Sequence, residues 1–156
     1  MTAILVTEDL TIHTDSQVSD GWDNFVGDYE KIHLVGHLVV AGTGRRVIKT
    51  AFLHALEKQI KTSPNSTYEV LMNSISELDL KHWKALVLDT HSKILYYVAT
   101  GGVADVLPPI AIGGGEREVL AAYLACGDVN KSFAVASKLD LQVGGPVQSY
   151  IHQEAT

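Results

Sequence analysis

The feature that most constrains this chain is the sorting of its strand-like and helix-like segments into pairs. The apolar run at 3–6 and a second β-type run at 10–14, divided by Glu8-Asp9, read as a hairpin. Residues 15–30 are polar and turn-rich and read as a loop. Its Trp22, Phe25 and Tyr29 suit a cleft lining, a subunit contact or an anchor for the loop equally well. A second hairpin spans 31–34 and 38–41, turning near Gly36-His37. Gly42-Thr-Gly-Arg-Arg then opens a helix, with Val47, Ile48, Ala51, Phe52, Ala55, Leu56 and Ile60 at helical spacing through Lys61. Pro64-Asn65-Ser66 stops it. Ser66 with Glu69 makes a capping-box pattern for a second helix, with Tyr68, Leu71, Ile75 and Leu78 on one face.

Further along, 85–88 and 94–99 flank a turn as another hairpin, and 109–113 adds a strand before Gly113-Gly114-Gly115. A helix follows over 116–125, with an acid in its first turn and Gly127 as its C-terminal cap. Asp128 caps a fourth helix carrying Val129, Phe133, Ala136 and Leu139, and a last strand covers 145–151. Hairpins and helix pairs are thus segregated. That order argues against alternating βαβ units and a Rossmann sheet. It predicts an α+β fold of two antiparallel sheets packed together, with a helix pair covering each outer face.

Size and charge narrow the function classes. At 156 residues the chain is expected to be a single domain, 1–156, able to bury roughly two-thirds of its unfolded surface. The net charge is −6, and the 12 Lys and Arg are scattered without a basic block, so no nucleic-acid partner is expected. A single cysteine, Cys126, excludes an internal disulfide and a CxxC motif, and its place at an apolar helix end reads as a small buried hydrophobe. No apolar run approaches the roughly 20 residues of a membrane span, and Met-Thr-Ala-Ile-Leu-Val lacks a signal-peptide n-region. A soluble cytoplasmic protein is the expectation. A strand beginning at the second residue remains unusual.

Other signals are weaker. The seven histidines show no zinc spacing; His33 and His37 flank a turn, His13 lies near Asp15 on a strand, and all read as surface or strand histidines, with no metal expected. Gly113-Gly114-Gly115 lacks the Lys-Ser/Thr of a phosphate loop, Gly42-Thr-Gly44 lacks a third glycine, and Glu116 would repel an anion, so no cofactor is expected. Arg45 and Arg46 read as solvated surface residues.

Several segments in order resemble the proteasome β-subunit and bacterial HslV group of N-terminal nucleophile hydrolases. They are Thr2-Ala-Ile-Leu-Val, Thr14-Asp15-Ser16-Gln17, Lys31-Ile32, and Val40-Ala41-Gly42-Thr-Gly. Later come Ala85-Leu-Val-Leu-Asp89, Thr100-Gly-Gly-Val103, Pro109-Ile-Ala-Ile-Gly-Gly-Gly115 and Asp140-Leu-Gln-Val-Gly-Gly145. The resemblance runs from Thr2 to about His152 and implies a four-layer αββα sandwich.

It also implies a chemistry. A threonine hydroxyl is a poor nucleophile until a base takes its proton, and in this class the base is the residue's own α-amine. That amine titrates near 7.7–8.0, close to working pH, but it exists only if Met1 is removed. Thr2 has the small side chain that methionine removal tolerates. The resemblance makes Thr2 the nucleophile, places the supporting acid at Asp15 and its lysine at Lys31, assigns the Gly42 N–H to the oxyanion, and matches the late aspartate at Asp140. Each residue also has a plainer reading: Asp15 a turn former, Lys31 a solvated strand end, Gly42 a necessity of the strand-to-helix turn. Two family serines are replaced, by Gly114 and Val143.

The expected function is therefore a threonine-type hydrolase cleaving peptide or amide bonds. The alternative is a catalytically inactive proteasome-like subunit with an assembly or binding role. The resemblance further implies a homo-oligomer, commonly a ring, an ATP-dependent unfoldase partner, and a peptide or protein substrate.

Overall fold

The computed structural model describes residues 2–19, 24–26, 30–62, 65–140 and 142–151. Met1, Trp22, Tyr29 and Pro64 lie outside them, as does the side chain of Phe25. In chain order the elements begin with β1 (Ala3–Val6), β2 (Ile12–Thr14), β3 (Gln17–Ser19), β4 (Asn24–Val26), β5 (Ile32–Val35) and β6 (Leu38–Gly44). Helices α1 (Arg46–Thr62) and α2 (Thr67–Ile75) follow, then β7 (Trp83–Asp89), β8 (Ile94–Ala99), β9 (Gly102–Val106) and β10 (Ile110–Gly113). Helices α3 (Glu116–Cys126) and α4 (Val129–Leu139) precede β11 (Gln148–Tyr150). The chain forms two compact units, residues 1–32 with 107–156, and residues 33–106.

The first unit is built on a four-stranded antiparallel sheet in the order β10-β1-β2-β11. β1 is a continuous apolar run because it is central: Ala3, Ile4, Leu5 and Val6 are all fully buried. Ala3 and Leu5 pack with Val119 of α3, Phe133 and Ala136 of α4, and Val143. The expected caps form: Gly127 donates its N–H to the Tyr123 carbonyl at 2.7 Å, and Asp128 accepts from the Lys131 amide at 3.0 Å. The short sheet β3-β4 occupies part of the segment expected to be a loop. Three-residue strands carry too little periodicity to be separated from turns.

The second unit holds a five-stranded sheet, β5-β6-β7-β8-β9. One alternating set, Leu38 and Val40, Ala85 and Val87, Tyr96 and Val98, buries against Phe52 and Leu56 of α1 and Val70 and Leu71 of α2. Ser66 caps α2 as expected, accepting from the Glu69 amide at 3.3 Å. β9 was not anticipated. It is an edge strand with exposed positions, turned back from β8 at Gly102 (φ +120°), so alternation alone does not mark it.

Four expected core positions are corrected. Val47 is 78% exposed, Tyr68 45% and Leu139 69%, and Val70 takes the buried place on α2. All three lie near a helix end, where helical spacing continues but the packing partner does not. Cys126 is exposed rather than a buried hydrophobe, because the α3 C-terminus carries it past the core. Arg45 and Arg46 are exposed, as expected.

Candidate active site

Thr2 stands at the entrance to β1. It is half-buried, and its carbonyl accepts from the Gly114 amide at 3.1 Å. The glycine-rich turn thus meets the threonine through its backbone. The next residue, Ala3, lies opposite Gly113 in the β1–β10 register.

Asp15 follows β2 and is 1% exposed. One carboxylate oxygen accepts both the Ala3 amide at 3.0 Å and the Lys31 ammonium at 2.9 Å. Its other oxygen accepts the Gly144 amide at 3.2 Å. A single buried carboxylate therefore ties the residue after Thr2, the lysine, and the turn that follows α4. Lys31, just before β5, is also buried and donates to the Gln17 carbonyl. The Gln148 side chain accepts from the Lys31 backbone amide at 3.1 Å. This fixes the lysine at both ends, so the plainer reading of a solvated strand end does not describe it.

The electrostatics are those of a buried ion pair. Burial, the largest influence, raises the Asp15 carboxyl above its ordinary value; the Lys31 charge and the hydrogen bonds offset part of this. The folded carboxyl then binds its proton more tightly than the unfolded chain does. Its contribution to stability is complete below the ordinary value and is lost as the pH rises through the raised one. A carboxyl-carbon NMR titration is expected to place the Asp15 midpoint above 3.8. A midpoint below that value would mean the lysine outweighs desolvation.

Asp140 terminates α4. Its amide donates to the Ala136 carbonyl at 2.8 Å, its carboxylate accepts the Gln142 amide at 2.9 Å, and its carbonyl accepts the Val143 amide at 3.1 Å. It thus builds the turn that delivers Gly144 to Asp15, with its carboxylate and carbonyl bonded to that turn and its amide to α4. Val143, where the resemblance implies a serine, is 2% exposed within the apolar cluster of Ala3 and Phe133. Beside Asp15 a cavity of about 220 Å³ is lined by Phe133, Ser137, Val143, Gly144 and Val147.

Gly42 belongs to the second unit. It is inside β6, opposite Ala85, rather than at the strand-to-helix turn. A Cβ there would lie 2.9 Å from the Trp83 ring, and Trp83 is itself buried, so close packing alone calls for glycine. The backbone demand of the turn falls on Gly44, with φ +121° and a Cβ position 2.3 Å from the His82 carbonyl oxygen.

The sequence reading missed Gly144, Gln17 and Gln148 as partners of the pair. Gly144 and Gln17 lie inside motifs given above; Gln17 acts through its backbone carbonyl, which residue type does not reveal, and Gln148 through its side-chain oxygen, far from Lys31 along the chain.

Eukaryotic HslV from Trypanosoma brucei matches this chain with a TM-score of 0.73 over 96% of this chain and 98% of that one, at 18% identity. The fold is that of HslV. Thiobacillus denitrificans BPH, solved in complex with epoxomicin, matches with a TM-score of 0.68 over 96% and 97% of the two chains, at 21% identity. The α+β sandwich of the HslV fold, expected from the element order and the resemblance, is thereby shown. No family model matches the chain. Among the described residues, no helix is long and apolar enough to cross a membrane.

Proposed function

We propose that this chain is a threonine-type N-terminal nucleophile hydrolase that cleaves peptide or other amide bonds. The observation that carries the reading is the Asp15 carboxylate, buried and shared between the Lys31 ammonium and the amide directly after Thr2. A chain with no chemistry at its second residue has little reason to keep a buried charge pair there, since apolar residues of similar volume stabilise as well or better.

With Met1 removed, the Thr2 amine accepts the proton of the Thr2 hydroxyl as that oxygen attacks the substrate carbonyl. The Lys31 charge disfavours a second cation and lowers the amine's pKa toward working pH. Asp15 is a positioning residue that holds Lys31 and the start of β1. The resemblance assigns the oxyanion to the Gly42 N–H. Collapse of the tetrahedral intermediate passes the proton from the amine to the leaving nitrogen and leaves an acyl-Thr2 ester, which water hydrolyses. Asp140 acts through the turn it closes.

The two units together make one domain of subunit size. The match to nearly the whole of a single HslV chain supports this. By the same likeness we propose a cytoplasmic homo-oligomer, ring-shaped, taking peptide or protein substrates from an ATP-dependent unfoldase. A second reading, an inactive subunit kept for assembly or binding, is favoured by Val143, whose apolar packing replaces a hydroxyl beside the Asp15 turn.

The two readings part on the free amine. Purified protein whose first residue is Thr2 is expected to hydrolyse a fluorogenic peptide, and the form retaining Met1 to be at least a hundredfold slower. Equal rates in the two forms, or no hydrolysis by either, would reject the hydrolase reading.

A further inference from the structure

Among the described residues, one group of metal-ligating side chains converges within the second unit. His37, Asp89 and His91 each offer a ligand atom, and these atoms all lie within 4.8 Å of one another. They come from two turn tips of the second unit, His37 between β5 and β6, and Asp89 and His91 at the turn between β7 and β8. Sequence spacing gives no hint of the group, because His37 is far from the other two along the chain and no cysteine lies near.

The geometry is unlike that of a hydrogen-bonded turn alone. His37 Nε2 stands 3.9 Å from Asp89 Oδ2, too far for a hydrogen bond but close to the separation of two ligands across one ion. With metal–nitrogen and metal–oxygen bonds of about 2.0–2.2 Å, such a pair spans about 3–4 Å. The His37 and His91 rings stack at 4.5 Å with 9° between their planes; because an imidazole nitrogen donates in the plane of its ring, one ring must turn about its side-chain bonds before both nitrogens face a single ion.

The framework that would orient the ligands is also in place. Asp89 is 7% exposed at its side chain, and its Oδ1 accepts the His91 and Ser92 amides at 2.9 and 3.2 Å. Thr67 Oγ1 donates to Asp89 Oδ2 at 2.5 Å. The His37 carbonyl accepts both the Thr90 hydroxyl at 2.7 Å and the Thr90 amide at 3.0 Å, fastening one tip to the other. Hydrogen bonds that fix a ligating carboxylate and its backbone are what a metal site needs around it. His91 is exposed, so the open side of the group faces solvent and leaves room for water or an outside ligand.

We propose that His37, Asp89 and His91 bind one divalent transition-metal ion of the zinc class. Two imidazoles and one carboxylate are the nitrogen and oxygen donors such ions prefer, and the ion clamps the β5–β6 tip to the β7–β8 tip. The site is independent of the Thr2 chemistry.

Titration of the full-length protein with zinc chloride, followed by calorimetry and by histidine ring NMR, tests this. One equivalent is expected to bind saturably, moving the His37 and His91 resonances together and leaving those of His54 and His82 in place. His37→Gln and His91→Gln should each weaken binding at least tenfold. Asp89→Asn, which keeps the turn's acceptor atom but removes the charge, should do the same while the chain stays folded. Absence of saturable binding, or any one of the three variants binding as the wild type does, would overturn the three-ligand site.

Discussion

Lys31→Met is expected to lower folding stability by about 3–5 kcal/mol, the usual cost of removing one partner of a buried ion pair. The two side chains are 4% and 1% exposed and 2.9 Å apart, so neither is rescued by solvent when the other is lost. The methionine fills the apolar stem of the lysine but leaves Asp15 with a buried charge and, among the described residues, the Ala3 and Gly144 amides to satisfy it. Urea unfolding at neutral pH measures the loss. Against a typical total of about 5–15 kcal/mol, the variant could fall close to the threshold for folding. The double variant Asp15→Asn with Lys31→Met keeps the test decisive, because removing both charges should recover much of the loss. A loss below about 1 kcal/mol for Lys31→Met would mean that the pair behaves as a solvated surface bridge. Any hydrolysis left in a folded Lys31→Met protein should have its acid limb displaced to higher pH, since the amine of Thr2 would no longer face a neighbouring cation.

Thr2→Ala is expected to abolish hydrolysis, by about three orders of magnitude or more, while changing stability by about 1 kcal/mol or less. The side chain is half-buried, and what ties the residue to the glycine-rich turn is its carbonyl, accepting from the Gly114 amide at 3.1 Å. Alanine keeps that bond and the α-amine while removing the only atom that attacks. Peptide hydrolysis and urea unfolding on the same preparation separate the two effects. Retained hydrolysis would move the nucleophile elsewhere, and a large loss of stability would make Thr2 a structural residue. Lys31→Met and Thr2→Ala thus have opposite signatures: one costs stability and alters the pH profile, the other costs rate alone.

Much of the fold was legible because the signals were local. The apolar run of β1, the Ser66 and Asp128 caps and Gly127 past α3 each depend on a few neighbouring residues. What stayed hidden depended on distant partners. Leu139 fits the helical period of α4 yet points away from the core, and Cys126 looks apolar in its helix yet is exposed. The candidate site divides in the same way. Asp15 and Lys31 entered through resemblance, since neither spacing nor residue type says that one carboxylate will accept both the Ala3 amide and the Lys31 ammonium. Gly42 shows the reverse: its place in the quoted motif suggested a catalytic backbone, and its packing under Trp83 supplies a structural reason for glycine that the sequence did not disclose.

The central claim is that Thr2, once freed of Met1, is a nucleophile. Its most direct test is intact-mass analysis of the native protein after exposure to a peptide vinyl sulfone, with the modified residue mapped by fragmentation because exposed Cys126 is a competing nucleophile. The prediction is a chain beginning at Thr2 that gains one adduct located on Thr2, with no such adduct in Thr2→Ala. A chain that begins at Thr2 and gains no adduct there, or one that keeps Met1 throughout, would contradict the account.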